Sequence, residues 1–165
     1  LQKNLNNILI LRPGIIIGGG DLFLKRLLPI FKFSFFIPLF GSGNAKLQPV
    51  FIDDVAKAVE LIITKNNFKK NIFELFGPEI FTYKSLYTHL KKCLNKTRVF
   101  VPIPFNFMKL SVSIIEKLPI NLLTTDQLLL FKSDNLPQNI DKNFKDLYIS
   151  PQDIREIIRN FIDKK

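Results

Sequence analysis

The stretch ILILRPGIIIGGGD, residues 8–21, decides how the chain is read. Four apolar residues run into Arg12-Pro13-Gly14, three isoleucines follow, and Gly18-Gly19-Gly20 ends the run. A continuous apolar run bounded by turn formers predicts a strand buried on both faces over residues 8–11, the kind found in parallel sheets. Pro13 has no N–H to give to a ladder, so pairing must stop or bulge there. A strand end that opens into a glycine-rich loop is where open α/β sheets place their ligands. The three glycines lack the G-x-G-x-x-G spacing of a dinucleotide loop and read as a plain turn.

The bulk composition narrows the options around that stretch. At 165 residues, one domain is the default, and 47% hydrophobic content excludes disorder for most of the chain. The net charge of +10 would fit nucleic acid, but only 5 of the 24 basic residues are Arg. The joint richness in Phe, Ile, Asn and Lys is what AT-rich codons encode, and the lysines are scattered. A nucleic-acid partner is therefore not expected, whereas attraction to a membrane surface needs only Lys. A single cysteine, Cys93, excludes an intrachain disulfide, and a lone His89 excludes a histidine metal cluster. The apolar residues 27–40 are interrupted by Pro29, Lys32 and Pro38 and are too short to span a bilayer. No signal-peptide pattern is present, and the first residue is Leu, which is expected of a fragment.

Further along, residues 22–28 read as a helix capped by Asp21, and residues 37–50 as an inserted hairpin turning at 41–44. Asp53 reads as the N-cap of a helix running to about Lys65, with Asp54 in its first turn, both complementing its dipole rather than forming a carboxylate pair. Residues 71–76 and 98–103 read as strands, with Thr82 capping a helix between them. Residues 104–118 read as a helix, 124–127 as a cap cluster, and 132–147 as polar loop. Ser150 is expected to cap the last helix, whose Ile154, Ile157, Ile158 and Phe161 should dock on the body. Tyr87-x-x-x-Lys91 matches the pairing in which lysine lowers a catalytic tyrosine's pKa, a match that arises easily by chance.

Residues 11–18 (LRPGIIIG) followed by residues 48–56 (QPVFIDDVA) resemble the short-chain dehydrogenase/reductases of the extended or atypical, NAD-dependent epimerase/dehydratase kind. Phe51 stands where many members of that superfamily carry His. Residues 123–128, 131–135 and 46–50 are similar to bacterial relatives of the NAD(P)-binding accessory subunit of respiratory complex I. The resemblance implies the C-terminal part of a Rossmann-type doubly wound parallel sheet, in residues 1–76. A mostly helical C-terminal subdomain would follow in residues 77–165, and the nucleotide-binding N-terminal half would be missing. It implies half a site for NADP or NAD, with Pro13, Gly14, Ile15 and Ile16 at the nicotinamide end, the Ile16 N–H meeting the carboxamide, and Lys46 and Gln48 facing a substrate pocket. Because the superfamily's Tyr-Lys pair precedes this region, no catalytic residue is expected here, and no metal. The implied role is an accessory, non-catalytic protein supporting complex I assembly or stability. Its implied place is peripheral, on the cytoplasmic face of a bacterial inner membrane or the matrix side in a mitochondrion. The alternative is an active epimerase, dehydratase or reductase on a nucleotide-sugar or quinone-precursor substrate.

Overall fold

The computed structural model describes residues 8–20, 22–65, 72–107, 131–138 and 141–163. Strand β1 (Ile10–Pro13) ends where the proline demands, and the next N–H, that of Gly14, donates to Leu75 O at 3.0 Å. The chain then steps sideways into β2 (Ile16–Ile17). Helix α1 (Leu22–Phe33) buries Leu24, Leu27, Leu28 and Phe31, a stripe at helical spacing. Its expected cap Asp21 lies outside the described residues.

Next come β3 (Phe36–Phe40), β4 (Lys46–Leu47), β5 (Val50–Phe51) and α2 (Ile52–Lys65). They are followed by β6 (Ile72–Leu75), β7 (Phe81–Thr82) and α3 (Tyr83–Cys93). The order closes with β8 (Val99–Ile103), β9 (Lys142–Asn143) and α4 (Ile154–Asp163). β1, β6 and β9 form a parallel sheet in that order, β2 pairs in parallel with β5, β3 with β8, and β4 pairs antiparallel with β7. The class is α/β with parallel pairing, as the apolar runs imply.

Four local expectations need correction. Residues 10–13 are not buried on both faces: Ile10 and Leu11 are half-buried and Arg12 and Pro13 exposed, because β1 is the edge of its sheet among the described residues. The hairpin over 37–50 does not form. Gly41 and Gly43 do turn the chain at φ 61° and 68°, but the two arms bond elsewhere. Gly41 N–H extends the β3–β8 ladder to Ile103 O at 2.8 Å, while the carbonyls of Gly43 and Ala45 accept from Lys84 and Tyr83 at the start of α3. Residues 132–147 are not simply loop. β9 joins the sheet, and a 3-10 turn (Phe144–Leu147) buries both its apolar ends under an Asn143/Asp146 capping box. Finally, α4 is capped not by Ser150 but by Asp153, whose carboxylate accepts the Arg155 N–H at 2.8 Å.

Other expectations hold. Thr82 caps α3 in a reciprocal box with Ser85, at 3.0 and 2.9 Å. Residues 105–107 form a 3-10 turn, while the rest of the helix expected to 118 and the cap cluster at 124–127 lie outside the described residues.

Two apolar clusters organise the molecule. The first joins α1, β3, Leu47, Phe81, the inner face of α3, Phe131, Ile154 and Ile158. The second gathers Val50, Ala58, Ile62, Phe73, Leu75, Phe144 and Leu147. The β2–β5 pair is the seam between them. Side chains alternate across a strand, so Ile15, Ile17 and Phe51 meet the first cluster while Ile16 and Val50 meet the second. Packing on both faces is realised four residues later, in the isoleucines, of which Ile17 is buried and Ile15 and Ile16 half-buried.

Candidate functional site

The Arg-Pro-Gly corner is assembled from backbone. Gly14 is buried, with its N–H committed to Leu75 and its α-carbon against the Gln48 carbonyl and the Phe76 ring. A Cβ added there would stand 2.5 Å from Gln48 O and 2.8 Å from Phe76 Cδ1. The Ile15 carbonyl accepts the Val50 N–H at 2.9 Å. The C=O and N–H of one trans peptide group point in opposite directions, so the Ile16 N–H, which shares its peptide with that carbonyl, faces away from β5. Pro13 is exposed at the head of this corner.

Beside the corner, at the carboxyl end of β6, lies a cavity of about 450 Å³ lined in part by Gln48, Glu74, Phe76, Asp141, Asn143 and Lys145. The carboxyl end of parallel strands is the position where such sheets take ligands. Three of its polar side chains have partners within the chain. Gln48 Nε2 donates to Gly77 O, Glu74 Oε1 accepts the Gln138 N–H at 3.1 Å, and Asp141 pairs with Arg12 at 3.2 Å. Lys46 is elsewhere: it is exposed, its N–H donates to Asp134 Oδ1 at 2.7 Å, and it does not line the cavity. The structure thus brings Gly14 and Gln48 into contact and leaves Lys46 apart.

Glu74, buried at 5% exposure, and Asp141 were not among the residues singled out from sequence. Glu74 sits in strand alternation that looked like ordinary in–out patterning. Asp141 becomes visible only through its partner Arg12, 129 positions earlier.

The remaining reactive-looking groups are structural. The Tyr87 ring packs edge-on against Phe31 at 5.3 Å. Burial, reinforced by the Tyr83 phenol, pushes the Tyr87 hydroxyl well above its ordinary range. That is the opposite of what a catalytic Tyr-Lys pair requires. Lys91 lies over the Phe100 ring at 5.5 Å. Burial also raises the Cys93 thiol, against a lowering by Arg159, which makes it a poor nucleophile. Among the described residues, no three His, Cys, Asp or Glu side chains gather to hold a metal.

Asp54 has a distinct job. It is 1% exposed and accepts from Gln152 N at 2.7 Å and Gln152 Nε2 at 3.2 Å, so it ties the first turn of α2 to the loop before α4. Asp53 is not the cap, because α2 begins at Ile52; it is exposed in the same turn and fits the simple dipole role.

As a test of fit, the corner offers an apolar wall and one outward N–H, which suit the flat carboxamide end of a nicotinamide. The glycine run does not form a diphosphate cradle of the expected spacing. Gly18 is pinned against Ile52, where a Cβ would collide with its side chain, so a packing constraint explains it. The corner's shape is compatible with the nicotinamide end, and among the described residues the glycine run offers no diphosphate cradle.

With the geometry in place, solved structures identify the class of fold. The human epimerase family protein SDR39U1 with NADPH superposes at TM-score 0.67 and 13% identity, over 95% of this chain and 48% of that one. UDP-glucose 4-epimerase of Thermotoga maritima gives 0.64 at 15% identity, over 95% and 45%. dTDP-4-dehydrorhamnose reductase of Bacillus anthracis gives 0.64 at 13%, over 99% and 51%. The chain has the fold of the short-chain dehydrogenase/reductase superfamily, of the NAD-dependent epimerase/dehydratase kind.

Sequence gives the particular relatives. The chain is 28% identical over 156 residues to NADH dehydrogenase (ubiquinone) 1 alpha subcomplex subunit 9 of Arabidopsis thaliana, covering 88% of this chain and 39% of that protein. It is 26% identical over 155 residues to the NADH-ubiquinone oxidoreductase 40 kDa subunit of Neurospora crassa, covering 93% and 40%. It thus spans about two-fifths of the length of these two mitochondrial homologues. No protein-family model matches the chain.

Proposed function

We propose that this chain is part of an accessory, non-catalytic NAD(P)(H)-binding component of a respiratory NADH:quinone oxidoreductase, serving its assembly or stability. The observation that carries the reading is the homology along nearly all of the chain to subunits of that enzyme. In this reading Pro13, Gly14, Ile15 and Ile16 wall the nicotinamide end of the dinucleotide, with the Ile16 N–H directed at its carboxamide. Gln48 braces the wall through Gly77. A bound dinucleotide supplies redox chemistry in active relatives of this fold; here the residues only hold and orient it. The buried Tyr87 does not serve as a catalytic tyrosine, so the Tyr87-x-x-x-Lys91 match lends no support to an active epimerase or reductase.

The partners are the dehydrogenase's subunits, and the location is peripheral, at the membrane that carries them. That means the cytoplasmic face in a bacterium or the matrix side in a mitochondrion. Among the described residues, no helix is long and apolar enough to cross a membrane. The test is affinity purification of the full-length protein, tagged at its chromosomal locus, from mildly solubilised membranes. Dehydrogenase subunits should co-purify in near-stoichiometric amounts, and their absence refutes the proposal.

A further inference from the structure

Strands β3 (FIPLF) and β8 (VFVPI) contain no polar residue between them. They pair in parallel with Phe36 opposite Val99 and Pro38 opposite Val101, so these four side chains share one face. The other face, with Ile37, Leu39 and Phe100, belongs to the first apolar cluster. A sheet face left to water is ordinarily polar. Here Phe36 is 61% exposed, Val99 42% and Val101 39%. Phe33, at the end of α1 and 89% exposed, and Phe35, at 50%, continue the surface, and the Phe35 ring meets Phe36 edge-on at 5.2 Å. Single exposed apolar residues need no explanation, but a contiguous aromatic patch marks a docking surface.

The charge that frames the patch has one sign. Residues 22–52 and 80–107, which supply it, contain seven Lys and two Arg and no Asp or Glu. Lys32 precedes Phe33, and Lys96 and Arg98 precede Val99. The Arg98 guanidinium donates to the Phe31 and Lys32 carbonyls at 2.7 and 3.1 Å, locking the end of α1 beside β8.

We propose that this face docks on an anionic lipid bilayer, with Phe33, Phe35 and Phe36 entering the interfacial region and Lys32 and Lys96 meeting acidic headgroups. The single sign of the charge around the patch calls for an acidic surface, and acidic headgroups attract Lys and Arg alike. The rings of Phe33, Phe35 and Phe36 stand at the end of α1, in the bend after it and at the first position of β3, where exposed side chains can enter a soft surface without a matching pocket. The assignment deepens the membrane-peripheral reading above by naming the surface that makes the contact.

The test is sedimentation of the purified chain with vesicles of phosphatidylcholine alone and of equimolar phosphatidylcholine and phosphatidylglycerol. Binding is expected to the acidic vesicles only. Phe33→Ser with Phe36→Ser should lower it by about tenfold, and Lys32→Gln or Lys96→Gln by about fivefold each. Lys65→Gln, which removes the same charge from the end of α2, should leave it unchanged, and thermal unfolding should confirm that all variants fold. Equal binding to both vesicles, no binding, or equal loss with Lys65→Gln overturns the proposal. If the Phe variants instead bind vesicles normally but lose the dehydrogenase subunits on purification, the patch is a protein interface. The lipid proposal then falls while the functional reading stands.

Discussion

Replacing Asp54 by Ala removes the tie between α2 and the segment leading into α4, and the size of the loss can be worked from its contacts. The Gln152 N–H bond at 2.7 Å is short and charge-assisted, worth about 1.5–3 kcal/mol. The Nε2 contact at 3.2 Å adds well under about 1 kcal/mol, because Gln152 is exposed and its amide finds water when released. The Lys57 ammonium at 3.8 Å adds roughly nothing, since its side chain is 58% exposed. The expected loss is therefore about 2–3 kcal/mol, or a melting temperature about 4–12 °C lower for a chain of this size. Asp54→Asn keeps an acceptor without the charge and should lose about half as much. Asp53→Ala, in the same turn but exposed, should lose only the dipole contribution of about 0.3–1 kcal/mol. Urea titration of the three variants, with hydrogen exchange over residues 154–158, reads both the global and the local effect. If Asp54→Ala costs no more than Asp53→Ala, or if exchange in α4 does not rise, the carboxylate is not what holds α4.

Other expectations follow from the same contacts. Gly14→Ala sets a Cβ against the Gln48 carbonyl, a backbone atom that cannot swing away, and should cost about 2–4 kcal/mol. Gly19→Ala, with nothing within 4 Å of its Cβ, should stay within about 1 kcal/mol of the parent in the same urea titration. Burial raises Tyr83 from 10.0 to about 12 and Tyr87 further. Between those values the native state keeps protons that the unfolded state has released, so the stability these phenols contribute is complete below pH 10 and falls as pH rises through 10 to 12. Tyr87→Phe should flatten that alkaline decline in pH-dependent unfolding, and an unchanged slope would contradict the assignment. Calorimetric titration of the 165-residue chain with NADPH should show no micromolar binding, because among the described residues the glycine run offers no diphosphate cradle; a micromolar dissociation constant would place a phosphate site where none has been assigned.

Much of this was legible in the sequence because it is local. The proline that stops β1, the Thr82 cap, the glycine turn at 41–43 and the stripe of α4 each follow from a few adjacent residues. The choice of strand partners was not legible. Residues 37–40 and 46–47 have a good turn between them, yet pair with β8 and β7, and the peptide groups between them bond to Ile103 and the start of α3. Buried polar residues were hidden for a related reason. Asp54 and Asp53 look alike in sequence, and only the arrival of Gln152, 98 positions later, makes one a buried acceptor and leaves the other a surface charge.

The Arg-Pro-Gly corner changes character once its neighbours are known. Gly14 and Gly77 stand on either side of the Gln48-Pro49 backbone, which approaches both so closely that neither position has room for a side chain. Ile15, Ile16 and Ile17 then alternate between two cores, so the wall they form is fixed from both faces before any ligand arrives. Preorganised walls hold a ligand with little entropic cost. The polar groups beside this wall are different, because Gln48, Glu74 and Asp141 each already serve a partner within the chain. A catalytic pocket needs polar groups aimed at the reacting atoms, whereas a holding site needs only shape and an N–H in the right place. On these residues the corner is a rigid apolar wall with one N–H facing outward, and the polar groups of Gln48, Glu74 and Asp141 beside it are spent on contacts within the chain.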